Sequence, residues 1–173
     1  MSEDIVERFL ADTSTEDPKL AGALTALDDT GRKQLAGVLG RFDAGANGTL
    51  GATERLHARR VLGRLRRPDV EVLTEANKVL DYLDLNADAK LDRNEIDLTL
   101  EVMEMFSRIE GGEDTMSAHE LRLLFAVLRH LDADDSGRLE RDERAKLRSS
   151  LTNPDAFWAD QQANNPRVKA LLT

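Results

Sequence analysis

Two stretches of this 173-residue chain, Asp84–Glu95 and Asp132–Glu143, place oxygen-bearing side chains at intervals that can fold into a cage around a divalent cation. Calcium takes six to eight oxygen ligands at about 2.3–2.6 Å in a flexible shell. A twelve-residue loop can supply them from positions 1, 3, 5, 7, 9 and 12. Position 7 offers its backbone carbonyl, position 9 often works through water, and a Glu at position 12 contributes two oxygens. Glycine at position 6 allows the sharp turn, and an apolar residue at position 8 points inward.

DADDSGRLERDE meets this pattern in full. Asp132, Asp134 and Ser136 occupy positions 1, 3 and 5, with Gly137 at the turn. Arg138 offers its carbonyl, Leu139 is the apolar anchor, and Glu140 and Glu143 stand at 9 and 12. In DLNADAKLDRNE the ligand positions are Asp84, Asn86, Asp88, Lys90 (through its carbonyl), Asp92 and Glu95, with Leu91 at position 8. Ala89 replaces the turn glycine there, at a cost on the order of 1 kcal/mol if that position needs a positive φ. The carboxylates should outweigh it, so a filled but weaker or slower site is expected.

A third loop, DAGANGTLGATE, keeps Asp43, Asn47, Thr49 and Glu54 at positions 1, 5, 7 and 12, with Gly48 and Leu50 in place. Gly45 and Gly51 leave positions 3 and 9 without a side-chain oxygen, so a weaker metal site is expected. A register over Ile109–Glu120 fails at its first position, where Ile109 cannot ligate. Ser117-Ala118-His119-Glu120 reads more simply as a helix capping box.

Helices must position these loops. Hydrophobic residues make up 40 per cent of the chain and charged residues 33 per cent, with Leu and Ala prominent and strand alternation nearly absent. The expected fold class is therefore all-α. Punctuation divides the chain into about eight helical stretches: Ser2–Ala11, Pro18–Leu27, a third carrying Leu35, Val38, Leu39 and Phe42, then Thr53–Arg67. A fifth opens at Pro68, a sixth runs from Arg93 to Ile109, a seventh follows Ser117, and an eighth ends near Asn153-Pro154. One short helix around Phe157-Trp158 and a loose end complete the chain.

Three ligand-bearing loops, each between amphipathic helices and each with Leu at position 8, make a repeated helix–loop–helix unit. On these residues the chain resembles the EF-hand superfamily. Its layout over residues 2 to 151 is similar to the four-handed sarcoplasmic calcium-binding proteins and their calerythrin-like bacterial relatives. The resemblance implies a first hand near Asp12–Asp17 whose loop has been lost. It also implies hands paired first with second and third with fourth, in lobes spanning residues 1–67 and 68–151, with a tail at 152–173 packing on them. Leu91 and Leu139 would then meet in a short two-stranded bridge.

The remaining features exclude other classes. The net charge of −9 argues against nucleic acid, whose phosphates need a basic surface. The absence of cysteine excludes thiolate sites and fits a cytoplasmic protein. No apolar run is long enough for a membrane span, and a monomer is expected. His57, His119 and His130 share no metal-ligand spacing, and no nucleophile–base set or phosphate loop is evident, so enzyme activity is not expected. Arg55, Arg59, Arg60, Arg64, Arg66 and Arg67 read as a solvated face paired with nearby acids, or alternatively as a basic face for an acidic partner.

The expected function is calcium binding, as an intracellular buffer or a calcium-stabilised protein, with magnesium as a competitor that the Glu at position 12 disfavours. The alternative is a sensor that grips a partner helix in an exposed apolar groove. Only four Met and a tail able to fill such a groove favour the buffer.

Overall fold

The computed structural model describes residues 2–43, 50–65, 69–84, 90–107, 115–132 and 134–172. Among them the chain is all-helical, with ten helices: α1 (Ser2–Glu16), α2 (Pro18–Thr25), α3 (Asp29–Gly40), α4 (Ala52–Leu62), α5 (Val70–Leu83), α6 (Arg93–Ser107), α7 (Ala118–Leu131), α8 (Arg141–Thr152), α9 (Pro154–Asn164) and α10 (Pro166–Leu172). No helix among these residues is long and apolar enough to cross a membrane.

Local chemistry sets the starts. The Asp17 carboxylate accepts from the Leu20 N–H at 3.2 Å and Pro18 takes the first helical position of α2, as expected. Asp28 and Asp69 cap α3 and α5 in the same way, at 2.8 and 2.9 Å. At α7 the expected capping box is formed, with Glu120 N–H on Ser117 Oγ at 3.2 Å and Ser117 N–H on Glu120 Oε1 at 2.9 Å.

Several boundaries differ from expectation. Helix α1 runs past Ala11 to Glu16, because the Ser14 and Thr15 hydroxyls bond back to the Ala11 and Asp12 carbonyls at 2.7 and 3.0 Å instead of breaking the helix. It meets α2 directly at Asp17, leaving no ligand loop where the first hand was expected. Helix α4 stops at Leu62 rather than Arg67. Gly63 and Arg64 turn, with Arg64 N–H on Val61 O at 3.0 Å and Leu65 N–H on Leu62 O at 3.1 Å. Leu65 forms an isolated parallel bridge with Met116, whose N–H donates to Arg64 O at 2.7 Å. The fifth helix starts at Val70 rather than Pro68, because Asp69 is its extended N-cap, the carboxylate accepting from Val72 N–H at 2.9 Å.

The tail differs too, forming two helices rather than one. Asn165, 1 % exposed, breaks them: its side-chain amide donates to Ala126 O at 3.1 Å, and its carbonyl oxygen accepts from Arg167 N–H at 3.1 Å, starting α10 at Pro166.

The packing is serial. Helix α1 lies on α3, α3 on α5, α5 on α7 and α7 on α10, while α4 touches α6 and α6 touches α8 on the other side. Each successive helix pair is thus laid beside the one before, as in repeat proteins whose units contact only their neighbours. The contact of α3 with α5 crosses residue 67, where two lobes were expected to divide. One continuous apolar cluster runs from Ile5 to Val168, through Phe9, Leu35, Leu39, Leu73, Leu80, Leu124 and Leu128. Asn77 of α5 stitches the row by donating to Gln34 O of α3 at 2.9 Å.

Of the arginine face, Arg55 and Arg59 are paired with acids. Arg55 reaches Glu16 at 3.0 Å and Asp12 at 3.7 Å, and Arg59 reaches Glu16 at 3.6 Å, joining α4 to α1. Such partly exposed pairs contribute little stability, on the order of 0–1 kcal/mol each. They do show these arginines paired with acids of their own chain.

Candidate metal centre

Helices α3, α5 and α7, which lead into the three loops, stand in one row. Position 1 of the last two loops is also the final cap of its incoming helix: Asp84 N–H donates to Leu80 O and Asp132 N–H to Leu128 O, both at 3.0 Å. Position 8 is buried in all three loops, with Leu50, Leu91 and Leu139 at 7, 4 and 0 % exposure. Position 12 repeats a contact as well. Glu54, Glu95 and Glu143 each accept, through Oε1, the N–H of position 9 at 2.8, 2.8 and 2.9 Å. The helices α4, α6 and α8 are therefore anchored at their starts by the same carboxylates assigned as the last ligands.

The loop Asp132–Glu143 is described at every predicted ligand position. Asp132 Oδ1 accepts from Ser136 N–H at 3.0 Å and Oδ2 from Gly137 N–H at 2.9 Å, folding the loop around its first residue. Ser136 Oγ lies 3.2 Å from Asp132 Oδ1 and 2.9 Å from the Arg138 carbonyl, so positions 1, 5 and 7 converge. Asp135 and Gly137 hold φ of +55° and +85°. Asp tolerates this left-handed region and Gly adopts it freely.

Carboxylate oxygens of Asp132, Asp134 and Glu143 all lie within 4.8 Å of one another. Two oxygens bound to one calcium ion can be no farther apart than about 5 Å, twice a coordination distance. Three of the six expected ligands, Asp132, Asp134 and Glu143, therefore stand close enough to share one ion; with Ser136, the Arg138 carbonyl and Glu140 they are the residues that would hold it, and it would supply the positive charge that this set lacks.

The electrostatics show the crowding. Hydrogen bonding with Asp134, and then the charges of Asp134, Glu143 and Asp132, push the exposed Glu140 carboxyl above its ordinary pKa. For Asp132, burial pushes upward, but donation from Gly137 and Ser136 outweighs it and holds the carboxyl below its ordinary value.

Asp84–Glu95 is described in part. Asp92 and Glu95 exchange reciprocal N–H to carboxylate bonds at 2.8 Å, Glu95 is 2 % exposed, and the Lys90 ammonium caps Gly40 O of α3 at 2.9 Å. Asn86 and Asp88 lie outside the described residues. Of the third loop, Asp43 is buried and Glu54 anchors α4, while Asn47 and Thr49 lie outside the described residues.

The expected Leu91–Leu139 bridge is not made. Leu91 N–H donates to Arg41 O at 2.8 Å and Leu139 N–H to Tyr82 O at 3.4 Å. In each case position 8 of one loop rests two residues before position 1 of the preceding loop. Serial stacking sets loops one step apart along the row, so position 8 faces the preceding helix end instead of its counterpart.

Tyr82 escaped the sequence reading because it precedes one loop yet borders another. Its phenol is raised above the ordinary pKa by burial first and then by the Asp132 carboxylate, with Arg129 opposing. No spacing rule within a single loop would have flagged it.

Gly137→Ala is expected to destabilise the protein by about 1 kcal/mol, the penalty of a Cβ at positive φ. No atom lies within 4 Å of where that Cβ would stand, so the cost is conformational alone. A lower urea midpoint with an unchanged slope would register it; an unchanged midpoint would mean that the loop relaxes its φ.

Comparisons of the chain with protein-family models, with curated proteins and with solved structures found no match.

Proposed function

We propose that this protein binds calcium through loops of the EF-hand type arranged in series, and that it works as a buffer or a calcium-stabilised protein without catalytic chemistry. One observation carries the reading: three carboxylates converge within 4.8 Å on a loop whose turn glycine has φ +85° and whose first Asp is gripped by the loop's own amides. Asp132–Glu143 is the principal site. Asp84–Glu95 is the second, and Asp43–Glu54 a weaker third. The paired, two-lobe layout is the finer part of the family resemblance, and the contacts between α3 and α5 favour a continuous row in its place.

The tail supports the buffer over the sensor. Helix α10 covers α7, Trp158 meets Phe106 of α6 edge-on at 5.9 Å, and His119 Nε2 lies 2.9 Å from Leu171 O. A sensor must offer an apolar groove to its partner, and here segments of the same chain occupy the apolar faces of α6 and α7.

The test is calorimetric titration of the chelator-stripped protein with calcium in a magnesium background. Two or three ions should bind, with buffer-like dissociation constants near 10⁻⁸ M or below rather than the roughly 10⁻⁷–10⁻⁵ M of sensors. Glu143→Gln should abolish one of them. No saturable heat would overturn the reading. Hydrophobic-dye binding that rises with calcium would favour the sensor.

A further inference from the structure

We infer that the groove between α4 and α6 is a binding site for a small zwitterion, a molecule of tripeptide size with a carboxylate at one end and an ammonium group at the other. The inference does not depend on the calcium reading. The groove has a volume of about 490 Å³, within the range of about 300–1,000 Å³ usual for small-molecule sites. One wall carries Arg59, Arg60 and Arg64, and the other Asp97, Glu101 and Glu104. Local structure sets both rows. Arg59 and Arg60 lie in the last turn of α4, and Arg64 follows in the turn after Gly63. Asp97, Glu101 and Glu104 recur at helical spacing along α6, so they share one face of it.

The two walls line the same space without closing it. Elsewhere the fold pairs arginines with acids: Arg32 with Glu7, Arg41 with Asp81 and Arg55 with Glu16. Arg60, Arg64, Asp97 and Glu101 form no ion pair among the described residues, although they line one cavity. Arg59 is tied to Glu16 of α1 at 3.6 Å, which steadies its wall. Leu100 also lines the groove and adds an apolar surface. Opposite charges on the two helices select for a ligand that carries both. An anion with no ammonium group would meet the carboxylates of α6, and a cation with no carboxylate would meet the arginines. A zwitterion satisfies both walls, and an apolar middle would rest on Leu100.

The experiment is calorimetric titration of the full chain with the tripeptide alanyl-leucyl-alanine, and with its N-acetylated and C-amidated forms. Acetylation removes the ammonium charge and amidation the carboxylate. The intact tripeptide should bind saturably, and each capped form about tenfold more weakly, as the loss of a charge-assisted contact implies. Arg60→Gln with Arg64→Gln should weaken the intact tripeptide about tenfold and leave the amidated form unchanged. Asp97→Asn with Glu101→Gln should act in the same way on the intact and acetylated forms. None of these four side chains is buried, so the helical circular dichroism and the thermal midpoint should not change. No saturable binding of the intact tripeptide overturns the inference. A capped form that binds as tightly as the intact one overturns it too, because one wall would then take no part.

Discussion

Calcium at a thousandfold excess over its dissociation constant is expected to stabilise the folded chain by about 4 kcal/mol for each loop it fills. For a chain of this size that corresponds to a rise of about 8–16 °C in the thermal midpoint per loop. The physical source is visible in the last loop. The fold brings Asp132, Asp134 and Glu143 within 4.8 Å of one another, and hydrogen bonding with Asp134 first, then the charges of Asp134, Glu143 and Asp132, raise the pKa of Glu140 beside them. An unfolded chain separates these charges and has no cage to offer, so an ion that binds the folded form alone shifts the equilibrium towards it.

The effect should fade as pH falls through the carboxylate range, because ligands must be deprotonated to bind. Glu140, raised in the folded state, takes up its proton first as pH falls. Asp132, held low by the Ser136 and Gly137 amides, loses its charge later. Calorimetric melts with calcium and with chelator measure the shift, and Asp132→Asn with Glu143→Gln should remove the share of the last loop. Coincident melts would show that the folded state forms no calcium site.

Phe106→Ala is the substitution expected to cost the fold most, about 3–5 kcal/mol, from lost apolar transfer and the cavity left behind. Phe106 is 1 % exposed in the last turn of α6, and its ring meets Trp158 of α9 edge-on. Typical domains are stable by only about 5–15 kcal/mol, so the loss would be a large fraction of the whole. Trp158 is the chain's only tryptophan, which makes the effect easy to read: its emission should shift to the red, and the urea midpoint should fall. A substituted protein with the original midpoint and emission would mean that the contact between tail and body contributes nothing.

Helices were legible where the sequence carries their chemistry. Asp17-Pro18 and Ser117 with Glu120 announced their starts, and the 3.6-residue spacing of Leu35, Val38, Leu39 and Phe42 announced a face that is buried. The length of α1 was hidden because Ser14 and Thr15 are ambiguous residues, as able to bond back to a helical carbonyl as to break the helix. The second tail helix was hidden because it depends on Asn165 reaching Ala126, a contact 39 residues away in the chain.

Within the site, the oxygen pattern of Asp132–Glu143, its turn glycine and its buried Leu139 could be placed from spacing alone. What spacing could not supply was how neighbouring units meet. The hydrogen bonds from Leu91 to Arg41 and from Leu139 to Tyr82 depend on how one helix pair is set beside another, which no periodicity within a single helix encodes.

The row of helices has a consequence for how such a chain can change. The face that α3 offers to α5 has its counterpart in the face that α5 offers to α7, and a carbonyl at the end of each incoming helix receives the next loop in the same register. A duplicated or deleted unit of two helices and a loop would therefore meet surfaces already shaped to receive it, as the nearest-neighbour energetics of repeat proteins allow. The number of such loops could vary across generations in whole steps. The short helix α10, with Val168 buried, covers α7, the last incoming helix of the row.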